Sequence, residues 1–175
     1  MSPRPALPLR IEYVLLGLVR RQPAHGYELL QRWNIDDPLS MIWKVKPGAL
    51  YAALEKLEQI GYLRAKLECG SAAPQRKKYL ITLAGEQVFL DWMNTPVEAA
   101  RDFRQDFLSR LYFAADVPPA DLARLVERQK QTARGWLTHL IKQQNRANQG
   151  IALQVTQFRV RQVQAILDWL DSLAV

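Results

Sequence analysis

The sequence predicts an α+β fold, predominantly α, and three observations carry that prediction. The first is a short amphipathic stretch with both ends marked, Lys44-Val-Lys-Pro-Gly-Ala-Leu-Tyr-Ala-Ala-Leu-Glu-Lys-Leu-Glu-Gln-Ile-Gly61. The second is a pair of alternating apolar and polar runs directly after it. The third is a C-terminal stretch whose apolar residues recur in steps of four and three. They predict a small helix-and-hairpin domain over residues 1–95, followed by a helical, antiparallel coiled-coil-like region over 96–175. With 175 residues and 49% hydrophobic content, the chain can bury a core and is not a disordered segment.

Taken in order, Met1-Ser-Pro-Arg-Pro-Ala-Leu-Pro8 reads as an extended, frayed arm carrying Arg4, with Arg10 just beyond it. Leu9 to Arg21 places Ile11, Val14, Leu15, Leu18 and Val19 at helical spacing, a buried first helix that Pro23 cannot continue. Gly26 to Trp33 resumes as a second helix with Tyr27, Leu30 and Trp33 as its apolar positions. Asn34-Ile-Asp-Asp-Pro38 ends it in a turn, and Leu39 to Val45 reads as an irregular or strand-like link.

The marked helix then runs from Pro47 to Ile60. Proline suits a first helical position, where its missing N–H would be unpaired anyway, and Gly61 suits the left-handed residue that closes a helix. Leu50, Ala53, Leu54 and Leu57 fall on one face. The opposite face holds Gly48, Ala49, Ala52, Lys56 and Gln59 with Tyr51 on its flank, so a large flat object can approach it closely. Tyr62 to Leu67 and Lys78 to Leu83 alternate as the strands of an antiparallel hairpin. The connection from Glu68 to Lys77 carries Gly70, Ser71 and Pro74 and reads as a long mobile loop with a basic exit. Helix, hairpin and basic loop describe a winged helix-turn-helix, whose helix would enter the major groove of double-stranded DNA while the loop follows the backbone. Charge agrees. Formal net charge is +7, and Lys44 to Lys78 holds eight cations (Lys44, Lys46, Lys56, Arg64, Lys66, Arg76, Lys77, Lys78) against three anions (Glu55, Glu58, Glu68).

Ala84 to Met93 forms a further helix with Val88, Phe89 and Trp92 apolar, and Asn94-Thr-Pro96 marks the domain boundary. Arg101 to Ala115 reads as another helix, and Asp116 as a cap for the next, with prolines in its first turn. That helix repeats Leu122, Val126, Gln129, Ala133, Trp136 and Leu140; the last repeats Leu153, Thr156, Val160, Val163, Leu167, Leu170 and Ala174. Such spacing makes a seam for a partner helix, and the chain can reverse near Asn148-Gln-Gly150. Two helices this long carry more apolar seam than one neighbour covers, which favours a homodimer through the C-terminal helices over a self-contained bundle.

Other functions lack their parts. Cys69 stands alone, so no internal disulfide forms, and no signal peptide or apolar run of about 18 residues is present. A cytoplasmic protein without membrane contact is expected. His25 and His139 stand in unrelated contexts, no phosphate-cradling glycine loop appears, and no His/Cys/Asp/Glu group has metal spacing, so neither enzyme, metal nor cofactor is expected. His25 reads as a capping or packing residue. Trp33 and Trp43 read as core, with aromatic area that could stack on a planar effector.

Five blocks, Tyr13-Val-Leu-Leu-Gly-Leu18, Pro23-Ala-His-Gly-Tyr-Glu-Leu29, Lys46-Pro-Gly-Ala-Leu-Tyr-Ala-Ala-Leu-Glu-Lys-Leu57, Gly61-Tyr-Leu63 and Arg76-Lys-Lys-Tyr-Leu-Ile-Thr82, resemble in order and spacing those of PadR-like transcriptional regulators. The long paired helices look most like the AphA-like branch. The resemblance implies a dimeric winged-helix regulator, usually a repressor released by a small molecule, here a small aromatic effector. It implies backbone contact by Tyr51, Arg76, Lys77 and Lys78 and base reading by Lys46, Ala49 and Ala52; Lys44, Pro47, Gly48 and Lys56, from the charge and the small outward face of the same stretch, complete the expected DNA-binding set. Lys46 and Ala49 replace small hydroxyl residues common in the family, and Ala52 stands where proline is common, so a phosphate hydrogen bond is exchanged for a charge. The competing reading is a winged-helix protein-interaction module without DNA affinity.

Overall fold

The computed structural model describes residues 11–34, 38–70, 73–146 and 149–173. The proline-rich arm with Arg4 and Arg10, the Asp36-Asp37 turn, Ser71-Ala72 of the hairpin connection, Asn148 and Ala174 lie outside the described residues. The fold is α+β and mostly helical, in two compact units that divide between Met93 and Asn94.

In the first unit, α1 (Ile11–Arg21) buries Ile11, Val14, Leu15, Leu18 and Val19, as their spacing requires. A two-residue strand missed in the sequence, β1 (Ala24–His25), follows the Pro23 break. In α2 (Gly26–Asn34) the assigned face needs correction: Tyr27 is 57% exposed, whereas Leu29 and Trp33, at i and i+4, are fully buried. The His25 N–H donates to Glu28 Oε2 at 2.9 Å, half of a capping box that satisfies one free donor at the helix start. The expected irregular link from Leu39 to Val45 is helical in its first part, α3 (Pro38–Ile42), with Pro38 in its first position and Leu39 buried, and irregular from Trp43 to Val45.

Both marked ends of α4 (Pro47–Gln59) hold. Gly61 adopts φ +78°, the Gly61 N–H donates to the Glu58 carbonyl at 3.1 Å, and the Tyr62 N–H to the Leu57 carbonyl at 2.9 Å. These two bonds are the paired closure of a helix ending in a left-handed glycine. The hairpin, β2 (Leu63–Gly70) and β3 (Ala73–Ile81), is longer than the sequence suggests. Pairing continues from Leu63↔Ile81 to Glu68↔Arg76, with an irregularity before Gly70↔Ala73, so Arg76 and Lys77 lie on a strand and not on a loop. The antiparallel sheet has the order β1-β3-β2. Leu83 is 88% exposed and opens α5 (Leu83–Met93) instead of ending the strand. Thr82 Oγ1 accepts the Gly85 N–H at 3.1 Å as its cap. A Cβ on Gly85 would stand 2.1 Å from the Tyr62 carbonyl oxygen, so only glycine lets α5 lie this close to the end of α4.

The second unit holds a 3-10 turn (Ala100–Asp102), α6 (Phe103–Tyr112), a second 3-10 turn (Ala114–Asp116), α7 (Pro119–Arg146) and α8 (Ile151–Ser172). The expected single helix over Arg101 to Ala115 is therefore a helix between two tighter turns. Asp116 belongs to the second turn and is not the α7 cap; the Pro118 carbonyl accepts the first helical bonds. The α7 seam meets α8 within the chain: Leu125 and Val126 pack with Leu170, and Ala133 and Leu140 with Val160 and Val163, an antiparallel pairing. Gln129 is fully buried in that seam for a specific reason. Its Oε1 accepts the Val97 N–H at 2.6 Å and its Nε2 donates to the Val97 carbonyl at 3.2 Å, so one side chain satisfies both polar groups of a buried backbone unit.

Candidate nucleic-acid interface

The sequence of α4 divides the helix into two faces, and the fold uses them differently. Leu50, Leu54 and Leu57 are fully buried against the first unit's core, while Lys46, Pro47, Gly48, Ala49, Tyr51 and Ala52 are all exposed. A Cβ built on Gly48 meets nothing within 4 Å. The outward row continues through two residues absent from the sequence-based set, Glu55 and Gln59, which are also exposed. Their signal was the same spacing, Gly48, Ala52, Glu55 and Gln59 in steps of four, three and four.

Tyr51 is 45% exposed, and its ring lies on Gly26, where a Cβ would come within 2.6 Å of Cε1. The His25-Gly26-Tyr27 block therefore makes the seat for Tyr51. Beside it opens a groove of about 880 Å³ bounded by His25, Tyr27, Tyr51, Arg76 and Lys77. Tyr27, expected in the core, instead faces this groove with its hydroxyl accepting from Gln31 Nε2 at 2.6 Å.

The six cations of the expected DNA-contact set fall into two groups. Lys44, Lys46 and Arg76 are exposed, and none has an ion-pair partner among the described residues. The others are held by carboxylates. Lys56 Nζ sits 3.1 Å from Oε1 of Glu12, a fully buried residue of α1, so its charge is turned toward the core and away from the outward row. Lys77 Nζ lies 2.9 Å from Glu58 Oε2 in the last turn of α4. The hydrogen bond to Glu58, and then that carboxylate's charge, hold the Lys77 ammonium above the ordinary lysine pKa. Lys78 Nζ lies 3.4 Å from Glu68 Oε1, whose other oxygen is 3.3 Å from His25 Nε2. His25 Nδ1 stands 3.0 Å from the Lys77 carbonyl, so its ring ties β2 to β3 partway along the wing. Packing is thus the role the structure gives His25. Trp33 is fully buried, its Nε1 donating to the Trp43 carbonyl at 3.2 Å, which leaves it no face for stacking. Among the described residues no group of His, Cys, Asp and Glu could hold a metal ion, and no helix is long and apolar enough to cross a membrane.

A family model described as the transcriptional regulator PadR-like family matches residues 15–91, which contain α4, the wing and the Tyr51 seat. Over these residues the chain is a PadR-like transcriptional regulator. A second family model, virulence activator alpha C-terminal, matches residues 103–174, the helical arm of this PadR-like chain, consistent with the AphA-like branch. The PadR-like chain is 23% identical to the negative transcriptional regulator PadR of Bacillus subtilis over 130 residues, 74% of this chain and 70% of that protein. In fold it resembles the crystal structure of Bacillus subtilis PadR in complex with operator DNA, at a TM-score of 0.50 and 20% identity over 95% of this chain and 97% of that one. A PadR-like regulator of Bacillus cereus aligns over 97% of this chain and 96% of its own, at 22% identity and a TM-score of 0.45.

Proposed function

We propose that this regulator is a sequence-specific double-stranded DNA-binding repressor acting as a homodimer, with α4 in the major groove and the β2–β3 wing along the backbone. The observation that carries the reading is the division of α4: a fully buried leucine face behind a row of small exposed residues flanked by Lys44 and Lys46. In this reading Lys44, Lys46 and Arg76 meet phosphates, and Tyr51 contacts the backbone from its seat on Gly26. Pro47, Gly48, Ala49 and Ala52 allow close approach, and Glu55 and Gln59 face base edges, where a carboxylate suits cytosine and an amide suits adenine. Lys56, Lys77 and Lys78 reach phosphate only by leaving a carboxylate.

The dimer reading rests on α8. Its inward seam is consumed by α7, yet Ile151, Val155, Phe158, Gln162, Ala165 and Trp169 form a second exposed row in steps of four and three. A second copy supplies the matching row. The same reading makes the chain a cytoplasmic, non-catalytic regulator.

The test is duplex binding across a salt series, with random-sequence and own-promoter DNA. Three phosphates neutralised per protomer give a slope of about −5 in log K against log salt. A protein with no duplex affinity at any salt would be the protein-interaction module instead.

A small aromatic effector has a candidate seat in the second unit, a cavity of about 290 Å³ where Trp136 meets Arg101, His139 and Arg159. The indole offers a flat wall and the guanidinium groups of Arg101 and Arg159 an anchor for an acid group. Benzoate is expected to quench Trp136 emission and weaken promoter binding, both effects disappearing in Trp136→Phe; unchanged emission at millimolar benzoate would remove this seat.

A further inference from the structure

We infer that Glu58 is an internal competitor of the DNA phosphate at Lys77, a residue that sets the strength and salt dependence of duplex binding. The inference rests on the DNA-binding reading above. Lys77 comes from β3 and Glu58 from the last turn of α4, so the pair spans the two elements that must meet DNA together. Their side chains are 49% and 29% exposed, open enough for a phosphate to reach the ammonium. Two outcomes are then available to Lys77, and each reduces its contribution. If it stays on Glu58, it neutralises no phosphate. If it transfers to the DNA, one condensed cation leaves the duplex, but the ion pair is given up and Glu58 is left without its partner, which offsets part of the gain in affinity. Ion release from this lysine is close to zero in the first outcome, and its gain in affinity is reduced in the second. Lys46, exposed and without such a partner among the described residues, releases a full ion. A pair that merely clasped helix to strand would act with the opposite sign: breaking it would loosen the interface and weaken binding.

Glu58→Gln keeps the shape and removes the charge, so the two roles separate. On a 25-base-pair random-sequence duplex, Glu58→Gln is expected to tighten binding about two- to fivefold, the span of an exposed ion pair. It is expected to steepen the salt slope by up to about one unit. Lys77→Gln should change the slope by well under one unit in the natural protein and by about one in the Glu58→Gln background. The pair itself is read without DNA: Lys77 should be acylated faster by an N-hydroxysuccinimide ester in Glu58→Gln. Weaker or unchanged duplex binding by Glu58→Gln, beside salt-sensitive binding by the natural protein, overturns the competitor role alone. A full-unit slope change for Lys77→Gln in both backgrounds would mean that Lys77 leaves Glu58 on the duplex, and overturns the claim that Glu58 sets the salt dependence. If no protein in the set binds duplex, while Lys77 acylation still responds to Glu58, the DNA-binding reading falls and takes this inference with it.

Discussion

Ala49→Glu is expected to abolish duplex binding while leaving the fold intact. Ala49 lies exposed in the first turn of α4, within the row that the proposed function lays against DNA. A carboxylate there costs the free protein nothing in packing and is favoured by the positive end of the helix dipole. Against the duplex the same carboxylate meets phosphates, a like-charge contact costing several kcal/mol, so affinity should fall at least about a hundredfold. Thermal unfolding by circular dichroism would report an unchanged or slightly raised midpoint. Retained duplex affinity in a folded Ala49→Glu protein would move the reading head off this face of α4.

The second large effect concerns the arm. Phe158 is 68% exposed and sits near the middle of the outer α8 row, between Val155 and Gln162. Lysine at 158 is harmless on a free helix and must be desolvated in a paired one, so Phe158→Lys should dissociate the dimer. Sedimentation velocity would record a single chain of 20.1 kDa where the natural protein sediments as twice that mass. Operator affinity should fall by about two orders of magnitude, because the second half-site contact is no longer intramolecular. A Phe158→Lys protein that still sediments as a dimer would place the interface elsewhere.

What could be read from sequence, and what could not, follows from the range of the interactions. The ends of α4 were legible because Pro47 and Gly61 mark them chemically, and its inward face because four apolar residues repeat at helical spacing. The seam of α7 and α8 was legible for the same reason, including Gln129, although nothing local said that its amide would hold Val97. The wing misled because Gly70 and Pro74 read as loop residues, whereas both lie on its strands. α3 and β1 are too short, at five and two residues, for periodicity to develop. The hidden part of the site is the pairing of its cations. Glu12 stands 44 residues from Lys56, and Glu58 stands 19 from Lys77, separations that no window on the sequence connects.

The two-faced build of α4 also bears on how such a protein diversifies. Everything that anchors the helix, from the buried leucines to the Gly61 closure, lies apart from Gly48, Ala49, Ala52, Glu55 and Gln59. Under the proposed function those outward positions form an alphabet that can be respelled one letter at a time without asking the core to adjust. A lineage carrying this scaffold can drift toward new recognition sequences through folded intermediates at every step, and a laboratory library randomised at these five positions should remain almost entirely soluble.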